Sequence, residues 1–445
     1  MGAFRRSRFD SEIFKLGIPA FGALAADPLV SLVDTAFVGR LGASELGSLA
    51  VAAAVFGVAF ALFNFLAYGT TPLVAAAMGR KDEREAGLVA SAAVRIGLAA
   101  GLVGVLLLIP LAENVVRIMG ASAETVGGAT DYVRIRSLAL PAVMLITVGH
   151  GVFRGLHNTM TPLLVTLGLN AVNLILDPIL IFGLDWGLEG AAWATVVAQW
   201  LGAAWFVVLL GRQRSALGLH RERPHRDDVR RLLHAGSALL IRTGSLLAAL
   251  TLATAIAARI GTAQVAAHQI MFQVWILLSL MLDSLAIAGQ PMVATALPRS
   301  AVESAAISRR LLALGLTFGL LLTAILLAVG PWVPGWFTDD ADVVSALRTV
   351  YPFLVVMQPL NALVFVWDGV IIGAGDFPYL AKSMVVALAA SAAVLLAVLP
   401  LGWGLAGVWW AIVVLMLVRV GLLAWWERTG PHAAARGRSH ESPGV

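Results

Sequence analysis

Twelve stretches of this chain are each long and apolar enough to cross a lipid bilayer, and nothing else in it restricts the fold so strongly. A hydrocarbon core about 30 Å thick needs roughly 20 mostly apolar residues per helix. The stretches run over 14–38, 46–78, 87–112, 124–153, 160–184, 188–210, 233–258, 263–297, 308–333, 344–372, 378–400 and 404–426. With 59% of residues apolar and 13% charged, too few charges remain for a water-facing surface, and disorder and coiled coil are excluded on the same ground. The expectation is an all-α integral membrane protein with twelve transmembrane helices. There is no cysteine, so disulfides, thiolate catalysis and cysteine metal sites drop out.

The basic residues orient the helices. With the N-terminus in the cytoplasm, 22 of the 31 Lys and Arg fall in cytoplasmic segments and adjoining helix ends, from Arg5, Arg6 and Arg8 through Arg230 and Arg231 to Arg436 and Arg438. Four fall outside: Arg40, Arg117, Arg259 and Arg348. This is the positive-inside pattern. It predicts two cytoplasmic termini in a multi-pass protein of the cell membrane and explains the net charge of +5 without a nucleic-acid partner. The basic segment 1–15 leads into an apolar run with no small-residue cleavage site, so the first span is expected to be retained.

The chain is also duplicated. Arg40-Leu41-Gly42 corresponds to Arg259-Ile260-Gly261 and Pro72 to Pro291 at an offset of 219. His150-Gly151-Val152 and Gly155 correspond to Asp368-Gly369-Val370 and Gly373 at 218, and Gly187 to Gly190 correspond to Gly404 to Gly407 at 217. Six helices per repeat is an even number, so both halves have the same orientation, with a central cavity expected between parallel repeats. The expected organisation is an N-terminal six-helix lobe (1–210), a basic cytoplasmic linker (211–232), a C-terminal six-helix lobe (233–427) and a cytoplasmic tail (428–445).

Ionisable side chains inside spans are costly and mark functional candidates. Five carboxylates lie well within spans: Asp27, Asp34, Asp177, Asp283 and Asp368. Asp27 and Asp34 are seven apart and share a face of helix 1; Asn173 and Asp177 are four apart and share a face of helix 5. Pro28 and Pro178 follow two of the aspartates, and an interior proline kinks a helix and frees a carbonyl. A carboxylate, an amide oxygen and free carbonyls together can hold a proton or a small hard cation. At the repeat offsets Asp34 maps to Ala253, Asn173 to Ala390 and Asp177 to Val394, so this polar centre belongs to the N-terminal lobe alone. Asp283 maps to Asn64, which suits interhelical hydrogen bonding. Asp368 maps to His150, with capping, a gate contact or substrate binding all open. His268 reads as an interfacial residue, Arg242 as a snorkelling one, and the tryptophans, Trp332, Trp336, Trp403, Trp425 and Trp426 among them, as interface anchors.

At these residues the chain resembles the multidrug and toxic compound extrusion (MATE) transporters, in particular their DinF-like branch. The matching segments are Ile18-Pro19-Ala20, Val33-Asp34-Thr35-Ala36-Phe37-Val38-Gly39, Asn173-Leu174-Ile175-Leu176-Asp177-Pro178, Ala267-His268-Gln269-Ile270, and Asp368-Gly369 through Gly373-Ala374-Gly375-Asp376. The resemblance covers about residues 12 to 426. It implies secondary active efflux by alternating access, in which entry of H⁺, or alternatively Na⁺, drives export of an organic solute. It places the cation or proton site at Asp34, Asn173, Asp177 and Thr195, with Tyr132 and Asp27 nearby and a helix bend at Pro19. The same four residues would be the ligands of Na⁺. No cofactor is implied, and the expected partners are small organic solutes, cationic or amphiphilic, and the bilayer around a monomer.

Two other functions compete. Related folds can flip lipid-linked substrates, but such cavities meet phosphate with cationic groups, and the candidates here are mainly acidic. An intramembrane aspartyl protease is suggested by Gly373-Ala374-Gly375-Asp376. Its chemistry needs two carboxylates sharing a proton, whereas Asp376 stands at a helix end before Phe377-Pro378 and reads as a turn. No Walker, HExxH or nucleotide motif is present, so the expectation is a transporter and not an enzyme.

Overall fold

The computed structural model describes residues 7–213 and 226–431. Arg5 and Arg6, most of the arginine-rich stretch expected as a linker, and the tail from 432 onward lie outside the described residues. Every long element in the described residues is a helix, as hydrocarbon demands of a chain that must pair its own backbone groups.

The spans expected from hydropathy each appear. In chain order they are α1 (Asp10–Gly39), α2 (Ala43–Phe63) continued by α3 (Phe65–Gly79), α4 (Glu83–Ile118), α5 (Val126–Ser137) with α6 (Leu140–Gly155), α7 (Met160–Pro178) and α8 (Gly187–Arg212). The second repeat supplies α9 (Arg226–Ile260), α10 (Thr262–Ala296), α11 (Ala301–Val329), α12 (Ala341–Ala374), α13 (Phe377–Val398) and α14 (Gly404–Thr429). The pair α5 and α6 bends by 53° at its break and counts as one span, giving twelve. α8 continues through Arg212 and α9 begins at Arg226, so the described ends of the 211–232 segment are helical. Pro178 does not end its span; the chain passes from it into a π-helical turn, Ile179–Gly183.

The chain forms two compact units: Ile18–Gly236, and Met1–Gly17 together with Ser237–Val445. Both boundaries fall inside a helix, α1 and α9, and at the repeat offset of 219 they coincide. The start of α1 packs within the C-terminal unit, where Arg310 Nε and Nη2 donate to the two Asp10 carboxylate oxygens at 2.6 and 2.7 Å. Gly17 faces the Ser284 carbonyl and Ala288 there. The start of α9 packs within the N-terminal unit: Leu232 joins the core of Leu66, Val74, Val89 and Val152, and Gly236 lies against the Phe65 ring. Gly17 and Gly236, Ser284 and Phe65, and Ala288 and Gly69 are repeat equivalents, so the same exchange of helix starts occurs twice.

Large apolar side chains on many helices face outward, for instance Leu106, Leu32 and Leu327. Water would penalise such a surface, but lipid does not. Association therefore relies on close approach through small residues. In the N-terminal unit a Cβ on Gly151 would meet the Ala67 carbonyl at 3.0 Å, and one on Gly155 the Thr71 carbonyl at 2.8 Å. In the C-terminal unit a Cβ on Gly369 would meet the Ala286 carbonyl at 2.5 Å, and one on Gly373 the Gln290 carbonyl at 2.6 Å. Ala67 and Ala286, and Thr71 and Gln290, are again equivalents at 219. The glycines that revealed the duplication make the same two contacts in each unit.

Several polar residues are placed differently from their sequence expectation. Asp368 does not cap a helix; it is buried within α12, where Arg242 of α9 and Arg419 of α14 both donate to its Oδ2. Arg242 accordingly does not snorkel, because a buried carboxylate lies within its reach. His268 is buried rather than interfacial: it bonds Thr254 Oγ1 at 3.1 Å, stacks on Phe272 and meets Trp409 edge-on. Trp426, unlike the exposed Trp332, Trp336, Trp403 and Trp425, is buried and donates from Nε1 to Asp376 Oδ2 at 2.8 Å. Asp376 also accepts the Tyr379 amide as the N-cap of α13, after Gly375 in the left-handed conformation at φ 78°. Those bonds make it a turn residue and not half of a catalytic dyad.

Two predictions follow from this packing. Gly369→Ala forces a Cβ against backbone and should destabilise by about 1–3 kcal/mol; Gly57→Ala, where a Cβ meets nothing within 4 Å, should be neutral, both read by thermal unfolding in detergent. Asp368→Ala strands two guanidinium groups and should cost about 3–5 kcal/mol, while Asp376→Ala, which loses a cap and the Trp426 Nε1 bond, should cost about 2–3 kcal/mol.

Candidate functional site

The N-terminal unit brings together carboxylates that lie far apart in sequence. Asp34 comes from the last third of α1 and Asp177 from the end of α7, where Pro178 and the π-helical turn follow it. Their carboxylates approach within hydrogen-bonding range of each other. Asp177 is fully buried and Asp34 partly so. Asn173 Nδ2, one turn before Asp177 on the same face of α7, donates to Asp177 Oδ1 at 3.4 Å. Asp34 Oδ1 and Asp177 Oδ2 are buried and receive no hydrogen bond. Two carboxylates packed together, each with one oxygen lacking a donor among the described residues, can hold a shared proton or a monovalent cation between them. Asn173, in the amide orientation that donates to Asp177, keeps its Oδ1 as an acceptor.

Thr195 lies on α8, buried, and its hydroxyl donates to the Ala191 carbonyl of its own helix at 3.0 Å. Its oxygen lone pairs can still coordinate a cation. Tyr132 of α5 is buried, and its hydroxyl accepts from Arg136 Nη1 at 2.9 Å. Asp27 lies two turns before Asp34 and is tied separately, accepting from Asn170 Nδ2 at 3.0 Å. Asp283 and Asp368 belong to the other unit, on α10 and α12. Pro19 sits two residues past the point where α1 passes from one unit to the other.

Two partners were not singled out by sequence. Arg136 lies over the rings of Phe56, Phe60 and Tyr132 at 5.0, 5.8 and 5.9 Å and acts electrostatically on Asp27, Asp34 and Asp177 alike. It was visible as an arginine inside a span, itself a functional signal, but its target required the fold. Asn170 was visible only as one more polar residue on α7. Hydropathy gives an uncharged amide little weight, and nothing in the sequence pairs it with Asp27, 143 residues away.

Comparison with known proteins agrees with this architecture. The MatE family profile matches residues 19–179 and 245–399. The chain is 36% identical to Protein DETOXIFICATION 44, chloroplastic, of Arabidopsis thaliana, over 94% of this chain and 83% of that one. It is 26% identical to DNA damage-inducible protein F of Escherichia coli strain K12, over 94% and 92%. Among solved structures, a MATE protein in its bent conformation superposes with a TM-score of 0.88 at 22% identity, covering 98% of each chain. With two repeats matched by one family profile and the fold shared along nearly the whole length, this chain belongs to the MatE family, the multidrug and toxic compound extrusion transporters, and is a membrane transporter and not an enzyme.

Proposed function

We propose that the chain is an antiporter that exports organic solutes, cationic or amphiphilic, in exchange for H⁺ by alternating access. The observation that carries this reading is the Asp34–Asp177 pair: two intramembrane carboxylates in mutual contact, with two buried oxygens that no protein donor serves. Such a pair binds one cation from whichever side it faces. Cation uptake from outside favours release of the solute, and the return to the inward-facing state delivers the cation to the cytoplasm. A relative of Staphylococcus aureus, 22% identical over 84% of this chain, carries the name Multidrug export protein MepA, which supports the choice of cargo. Na⁺ is the second reading, because Asn173 Oδ1 and the Thr195 oxygen supply neutral ligands beside the pair.

The positive-inside distribution supports a cell-membrane protein with both termini cytoplasmic, and the long apolar outer surfaces support direct contact with lipid. A lipid flippase would need free cationic groups for phosphate. The intramembrane arginines Arg242 and Arg419 are instead engaged by Asp368.

The test is export of ethidium from proteoliposomes without ATP, under separately imposed pH and Na⁺ gradients. Wild type should respond to the pH gradient. Asp34→Asn and Asp177→Asn should each lower the rate by about 10²-fold or more, the scale of a lost proton-transfer group; full activity in both variants sinks the proposal. Asn173→Ala and Thr195→Ala should leave proton-driven export within a few fold of wild type, whereas on the sodium reading both lose it.

A further inference from the structure

The polar face of α7 extends well beyond the two residues that form the site. Thr166, Asn170, Asn173 and Asp177 recur at spacings of four, three and four, so they share one face, and all four are buried. They span about 16 Å of helix at 1.5 Å per residue, from the Asp34–Asp177 pair toward the helix end expected to face the cytoplasm. At the repeat offset of 217 the same face of α13 carries Ser383, Ala387, Ala390 and Val394. A polar stripe costs stability in a helix of this kind, and packing does not demand it, since the other repeat does without.

Three of the four rungs are met from a neighbouring helix, and Asn173 donates to Asp177 within α7. Asp177 meets Asp34 of α1, Asn170 donates to Asp27 of α1 at 3.0 Å, and Thr166 Oγ1 bonds His150 Nε2 of α6 at 3.3 Å. Beside the lowest rung lies a cavity of about 250 Å³, whose wall includes Asp27, Thr147, His150, Thr166 and Gln199. That volume and that lining suit a chain of water molecules, each with two or more polar partners. The titratable and charged groups facing it are Asp27 of α1, Tyr68 of α3, and His150 and Arg154 of α6; Asn64 between α2 and α3, Thr166 of α7 and Gln199 of α8 do not titrate.

From this juxtaposition we propose that Asp27 and His150 are relay residues, which carry the coupling proton from the Asp34–Asp177 pair through the N-terminal unit to the cytoplasmic side. Asp27 lies two turns, about 10 Å, from Asp34, so the proton leaves the pair over water along the polar face of α7, is taken up by the Asp27 carboxylate and then crosses the cavity over water. It is then taken up at one imidazole nitrogen of His150 while the other releases its own to water at the inner end. Histidine suits this step because both ring nitrogens exchange protons. The proton thus leaves by a route lined by one repeat only, and the second repeat, with Asp368 in place of His150, has no equivalent. The inference rests on the proton-antiport reading above.

The experiment uses full-length protein in proteoliposomes, with ethidium as the probe, and compares two rates. One is export driven by an imposed pH gradient, which needs net proton movement; the other is ethidium counterflow at equal pH, which does not. Asp27→Asn and His150→Gln, the latter keeping a side chain able to bond Thr166, should lower proton-driven export about tenfold or more and flatten its dependence on internal pH. Counterflow and thermal unfolding should stay within twofold and a few degrees of wild type. The relay is overturned if both variants keep the wild-type rate and pH profile, or if counterflow falls in parallel, which would make them solute-binding or structural residues. Failure of the coupling site itself looks different: there Asp34→Asn and Asp177→Asn retain proton-driven export.

Discussion

A polar group that enters hydrocarbon must find its partner within the protein, because no water is there to supply one. The whole chain is arranged around that cost. Its backbone is helical wherever it crosses, its helices meet through Gly151, Gly155, Gly369 and Gly373, where backbone packs on backbone, and its intramembrane charges are few. Those that remain are resolved in two ways. Asp368 is closed off by two arginines from two other helices. Asp34 and Asp177 are set against each other. One carboxylate ties three helices of a lobe together, and the other two each keep an oxygen with no hydrogen bond among the described residues.

The two repeats diverged along this line. Contacts that serve packing were retained: the glycine approaches and the exchange of helix starts recur at equivalent residues, with Gly17 and Gly236 at the crossing points. Polar residues were not. The stripe of Thr166, Asn170, Asn173 and Asp177 has Ser383 and then only apolar counterparts, and His150 has become, or replaced, an arginine-clamped aspartate. The cost of a buried polar stripe falls on one lobe alone, whereas both lobes need their helices close.

Much of this was legible before any coordinates. Hydropathy counts burial along a chain, and a bilayer imposes a fixed length, so twelve spans could be located by arithmetic, and the duplication by offsets of 217 to 219. Asp34, Asn173 and Asp177 stood out because charge inside a span is rare and because their repeat partners are Ala253, Ala390 and Val394. What misled was treating polar residues one at a time. Arg242 read as snorkelling and His268 as interfacial, and the arginine clamp on Asp368 was not foreseen, since each partner lies on a different helix.

The sequence by itself determined the helices, the duplication and the lobe in which the polar centre lies, for these depend on local hydropathy and on comparison of the chain with itself. Only the tertiary structure decided which polar groups meet. It set Asp34 against Asp177, closed Asp368 between Arg242 and Arg419, joined Asp27 to Asn170 and His150 to Thr166, and passed the starts of α1 and α9 to the opposite units. Such pairings rest on the approach of helices distant in the chain, and helix packing, unlike hydropathy, leaves no periodic trace in the residues themselves.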